Sequence, residues 1–339
     1  TAALTVGGSS TIAAGTGAIT LANAANDFVG TVNLSGGATT ITDANALALG
    51  LVRSGDLTVT STGDLSFGDV AVTGALLAAS IGGAITQTLA LSVSGTSQID
   101  AAGGNVTLDN LGNDFAGAVT ITGNTVILRD TDQLDLTLTA AGDADIATTG
   151  GLAIAGSAAN LITESGSGTS FGATTTTGTL TASAIAGGIT QTGALNVGGN
   201  ASFTASDAVT LSEPANVFGG SVAASGTAVS IADNSDLQLA DVTGTAVTLT
   251  STGAISQVAS TVLTADTLTG NSTGSTTLDG ANLVDTLGAF TANGFALNNA
   301  QTLSVTGPVD GGVSTSLSAA GDLLLAGNVS GTTTSLTAT

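Results

Sequence analysis

Cysteine, methionine, tryptophan, tyrosine, histidine and lysine are all missing from this chain of 339 residues, and each absence removes a class of explanation. Without Cys there is no disulfide, so packing and backbone hydrogen bonds must hold the fold. Without His, Lys, Tyr or Cys there is no ordinary base, nucleophile or oxyanion partner, which argues against an enzyme and predicts no catalytic residue and no bound cofactor. Arg53 and Arg129 are the only cations. They are too few to neutralise a run of phosphates, so neither nucleic acid nor an anionic lipid surface is expected as a partner. Gly, Thr, Ser or Asn interrupts every apolar run before the roughly 18 residues that a membrane-spanning helix needs, and no membrane insertion is expected. A translated chain begins with Met, so the absence of Met predicts a processed product or an excerpt of a longer protein, with any signal peptide out of view.

What remains is a narrow alphabet. There are 49 Gly, 2 Pro and 8 Phe, and the 42% of residues that are apolar are almost all Ala, Val, Ile and Leu. The net charge of −22 comes from a shortage of bases, because only 24 residues are acidic. All of these are Asp except Glu164 and Glu213. A short Asp side chain bonds readily to nearby backbone, so most are expected in turns. This composition points to a repetitive secreted or fibrous protein.

The scarce Phe returns in one setting: "ANDFVG" at 25–30, "GNDFAG" at 112–117 and "ANVFGG" at 215–220. With Phe28, Phe115 and Phe218 in register, Gly30, Gly117 and Gly220 stand two residues on, Val32, Val119 and Val222 four on, and Asp43, Asp130 and Asp233 fifteen on. A second landmark, Ile-Thr-Gln-Thr, ends at 88 and again at 192, with a worn relative, "GAISQV", at 253–258. These landmarks divide one continuous chain into modules of approximately 1–88, 89–192 and 193–339.

Within a module, apolar residues alternate in short bursts, as in "DLTVTSTGDLSF" (56–67) and "GNVTLDN" (104–110), separated by Gly, Asn, Asp and Ser. Period 2 predicts strands with one buried face, and no stretch of ten residues carries helical periodicity. The fold class is therefore all-β. Small aliphatic residues suit a narrow core of stacked layers better than a sandwich or barrel, which predicts a β-solenoid, in particular a parallel β-helix, taken as right-handed. Coils of roughly 20 residues rising about 4.8 Å each would give some 17 coils in a rod on the order of 80 Å. In this reading the three Phe fill a wider part of the core, the Gly two residues on allows a corner, and Asn26, Asn113 and Asn216 form Asn turns. The alternative is that the Phe rings are exposed for stacking on a ligand.

The runs at 57–67 and 74–117, followed by "GNSTGSTTLDGANLVDTLGAFTANGFALNNAQTLSVTGPV" at 270–309, resemble the repeat regions of filamentous-haemagglutinin-like exoproteins. These are large bacterial surface adhesins, often exported by two-partner secretion, and autotransporter passenger regions are similar. The resemblance covers nearly the whole chain and is one of repeat style. It implies an extracellular β-helical shaft at the bacterial cell surface and transfers no catalytic residue. The Asn-Pro-Asn-type motif of the family's secretion domain is not found, since no Asn here precedes Pro. Lack of Cys suits the implied route, because a chain threaded through an outer-membrane pore must stay unlocked.

One chemistry is weighed on the residues themselves. Asp130, Asp132 and Asp135 form the densest acidic cluster, with Asp233 and Asp236 at the matching place in the next module. Alternating oxygen ligands are what Ca²⁺ requires, although neither an EF-hand loop nor a Gly-Gly-x-Gly-x-Asp repeat is present. The competing reading makes these residues a turn between strands. Arg53 and Arg129 are expected to pair with nearby Asp at the surface. The chain opens and closes in mid-pattern, so its expected partners are a second copy stacked end to end or the continuation of a longer chain. The expected function is structural, as a fibre shaft or filament subunit. The alternative is an adhesive module whose side face binds a host or matrix glycan.

Overall fold

Strand Thr39–Asp43 shows how this alphabet builds the molecule: Thr39, Ile41 and Asp43 are buried, and Thr40 and Thr42 between them are half-buried. Repeated along the chain, alternation of this kind gives short strands that turn at Gly, Asn, Asp and Ser, because those residues tolerate tight backbone angles. A computed structural model describes residues 2–339. Among these residues there is no helix, and hence none long and apolar enough to cross a membrane. Parallel strands stack in about 18 turns, and the fold is a β-solenoid.

The chain divides into two units, Thr1–Gly166 and Ser167–Thr339. From Val32 to Asp130 the strands of the first unit stand in three columns. Val32–Ser35 leads through 52–54, Val70–Val72 and Leu91–Val93 to Asp114–Phe115. Thr39–Asp43 leads through Leu57–Ser61, Leu76–Ser80 and Ser97–Asp100 to Val119–Gly123. The third column runs from 47–49 through Leu65–Phe67, Ile85–Gln87 and Val106–Leu108 to Val126–Asp130. Val119 lies beside Leu136 and Ser10 beside Val32, so the length of a coil varies between these spacings.

These columns show that the repeat and the coil are out of step. Val32–Ser35 follows Phe28 and belongs to the first column, whereas its counterpart after Phe115, Val119–Gly123, belongs to the second. Thr39–Asp43 lies in the second column and its counterpart Val126–Asp130 in the third. One module is therefore a whole number of coils plus one side. The second unit repeats the offset. Ser221–Ser225, after Phe218, heads a column that passes Val242 and Leu263 to 283–284, while Ala228–Asp233 heads the column that reaches 286–291. Within each unit, features fixed to the repeat thus move around the coil by one side per step.

All eight Phe are buried, each no more than 2% exposed. Burying one such ring is worth about 3 kcal/mol of transfer free energy. In the second unit Phe171, Phe203 and Phe218 meet edge to face, with centroids 6.4 and 6.2 Å apart, the arrangement that ring quadrupoles favour. The Gly two residues after each repeated Phe stands at a bend between two strands, the corner expected of it, and what requires Gly there is close packing. None of Gly30, Gly117 and Gly220 adopts a left-handed φ. A Cβ on Gly117 would lie 2.4 Å from the carbonyl oxygen of Gly95, and one on Gly30 2.5 Å from the carbonyl carbon of Gly8, so these positions are held by close coil-on-coil approach.

Candidate functional site

The most elaborate arrangement in the molecule is a buried amide pair that joins the two sequence landmarks. Asn113 lies two residues before Phe115 and is fully buried. Its Oδ1 accepts from the Leu91 N–H at 2.9 Å and from Gln87 Nε2 at 2.7 Å. Its Nδ2 donates to Gln87 Oε1 at 2.9 Å and to the Leu108 carbonyl at 3.0 Å. Gln87 is the Gln of Ile-Thr-Gln-Thr, so the two motifs are halves of one reciprocal amide pair. Asn216 makes the same contacts with Gln191, Leu195 and Leu211. Asn26 accepts from Leu4 N–H and donates to the Leu21 carbonyl.

These Asn residues were expected in local turns, and the structure assigns them otherwise. The turn falls three residues earlier, where Asn23 Oδ1 accepts the Ala25 N–H and Asn110 Oδ1 the Gly112 N–H, both at 2.9 Å. Asn26, Asn113 and Asn216 instead point inward and bridge coils, because an amide there satisfies backbone groups that no ladder reaches.

A third pair, at a fourth copy of the arrangement, was missed in the sequence. Asn282 is fully buried, accepts from Leu263 N–H and Gln257 Nε2 at 2.8 Å each, and donates to Gln257 Oε1 at 3.2 Å. Gln257 belongs to the worn "GAISQV" landmark. Val284 stands where the Phe would be, and its N–H donates at 2.8 Å to Oδ1 of Asn299, fifteen residues on. The signal that would have found it is a Gln followed by an Asn 25 or 26 residues later.

The Asp fifteen residues after each Phe completes the arrangement. Asp43, Asp130 and Asp233 are buried, and each accepts the N–H of its Phe, at 3.0, 2.9 and 3.4 Å. Each also accepts from the residue two further on, Asn45, Asp132 or Ser235, which closes an Asx turn. Burial pushes the Asp130 carboxyl up to about 6, with the neighbouring Asp132 charge adding to the rise and the Phe115 N–H opposing it. Burial also raises Asp233, against its bonds from Ser235 and Phe218.

The proposed calcium residues are not brought together. Asp130 turns into the coil, whereas Asp132 and Asp135 are exposed on its surface. Asp236 is exposed and accepts the Ala254 N–H of the next coil at 2.7 Å. Among the described residues no three acidic side chains are placed to share a metal ion. The two cations are committed elsewhere, Arg53 to Asp69 at 2.8 Å and Arg129 to Asp145 at 2.9 Å, each reaching one coil on. The repeated Phe rings, being buried, offer no ligand-stacking face.

A family model described as repeats of unknown function (DUF5649) matches residues 1–35, 36–75, 54–122 and 158–225, more than half of the sequence, and the chain belongs to that family. No curated protein and no solved structure matches it.

Proposed function

For this member of a repeat family of unknown function, we propose a non-enzymatic structural role: a length of the shaft of an extracellular bacterial surface fibre or adhesin. The observation that carries the reading is the offset between module and coil. A recognition face needs equivalent side chains aligned along one side, and here successive modules turn their equivalents onto different sides. What the modules share is interior, namely a ring, an amide pair and a buried turn that lock coil to coil. The repeat style similar to filamentous-haemagglutinin-like exoproteins supports the same reading.

Electron microscopy of the purified chain tests the role: extended particles or end-to-end filaments are expected. Discrete compact particles that bind immobilised glycans on an array would favour the adhesive side-face reading instead, and reducing-sugar release from polysaccharides would make the protein an enzyme.

A further inference from the structure

The position fifteen residues after the repeated Phe holds a carboxyl group in three copies and a neutral amide in the fourth, and the coil is built at all four. Asn299, 1% exposed, accepts the Val284 N–H and spends its own Nδ2 on the carbonyls of Val284 at 3.0 Å, Gln301 at 3.1 Å and Thr302 at 3.4 Å. The site therefore accommodates an uncharged side chain that both accepts and donates, which is the hydrogen-bonding character of a protonated carboxyl.

Neither carboxylate is paired with a cation. Asp130 is 2% exposed and holds one backbone N–H at 2.9 Å and a second at 3.4 Å. Around it, Asp132 shares its turn, Asp114 lies on the coil before, Asp109 follows the adjacent strand, and the one cation, Arg129, binds Asp145 of the coil after. Asp233, also 2% exposed, accepts from the Ser235 N–H at 2.9 Å, the Ser235 hydroxyl at 2.8 Å and the Phe218 N–H at 3.4 Å; the acids beside it are Asp236 in its own turn and Glu213 before Asn216, and its unit contains no Arg, Lys or His at all.

We propose that Asp130 and Asp233 are proton-binding positions of the folded coil, so that mild acid tightens the solenoid. This goes beyond the shaft reading and holds whatever the shaft carries. A carboxyl that binds its proton more tightly folded than unfolded adds stability as pH falls. For Asp130 the gain accumulates from about pH 6 down to the ordinary Asp range and is absent at neutral pH. Between pH 7.5 and 5.0 it shifts the local unfolding equilibrium about tenfold toward the folded coil.

The test uses the full chain at constant ionic strength, as wild type and as the double variant Asp130→Asn, Asp233→Asn. Urea unfolding at both pH values should show the wild type gaining at pH 5.0, and the double variant at least as stable as wild type at pH 7.5 with that part of the gain lost. Retention of the whole gain in the double variant overturns the proposal. A measurement independent of unfolding is the carboxyl ¹³C titration of Asp-labelled protein. A resonance absent from Asp130→Asn should have its midpoint near 6, and a midpoint in the ordinary Asp range refutes the assignment.

Discussion

The copies built around Phe115 and around Val284 share a Gln–Asn pair and an N–H bond to the side chain fifteen residues on, and differ in contents. In the first, a ring fills the core and a carboxylate receives its N–H. In the second, a smaller Val stands in its place and Asn299 does the receiving. The Gln–Asn pair is present in both, at nearly the same distances. The comparison teaches that the coil can vary the volume and charge it encloses but keeps its amide, because an amide supplies donors and an acceptor together to buried backbone groups.

The largest way to break this comparison is through volume. Phe115→Ala should cost about 4 kcal/mol of local stability, whereas Val284→Ala should cost only about 1.5 kcal/mol. Because solenoids open segmentally, amide hydrogen exchange of the flanking strands is the measurement to use. Equal losses would mean that the ring is not what fills the coil. Removing the common element should cost about 3 kcal/mol in either copy, since Asn113→Ala and Asn282→Ala each strand a buried backbone N–H and the paired Gln amide. If either variant melts like the wild type, the pair is ornamental at that copy.

Exchanging the charge sharpens the contrast further. Asn299→Asp places a carboxylate where Nδ2 now meets three carbonyls. It should lose about 2 kcal/mol at pH 7.5 and recover part of that by pH 5, as protonation restores a donor. Melting curves at the two pH values decide it, and a loss independent of pH would contradict the account. The smallest effect expected is that of Arg53→Gln, below about 0.5 kcal/mol, because the pair with Asp69 lies at the surface. A larger loss in urea would show that this ion pair does more than bridge exposed strands.

Much of this was readable beforehand. Period-2 bursts such as 56–67 became strands, and the Gly, Asn and Asp between them became turns, because both signals are local properties of side-chain spacing and backbone tolerance. The pairing of Arg53 and Arg129 with Asp was also legible, since two cations amid 24 acids have little other choice. Asn26, Asn113 and Asn216 were misread as turn residues because an Asn beside Asp or Gly has that local habit. Their actual partners lie a full coil away, a distance that no local rule spans. The fourth copy escaped notice because Val284 and Asn299 replace the Phe and Asp that marked the others.

The sequence alone determined that this chain would be a cysteine-free, helix-free stack of parallel strands, because small aliphatic residues at period 2 can bury their faces only against copies of themselves. Only the tertiary structure decided which side each module faces and which distant amides meet. Those follow from how many residues each coil takes to close, a sum of packing and turn geometry over the whole circuit that no single stretch of sequence contains.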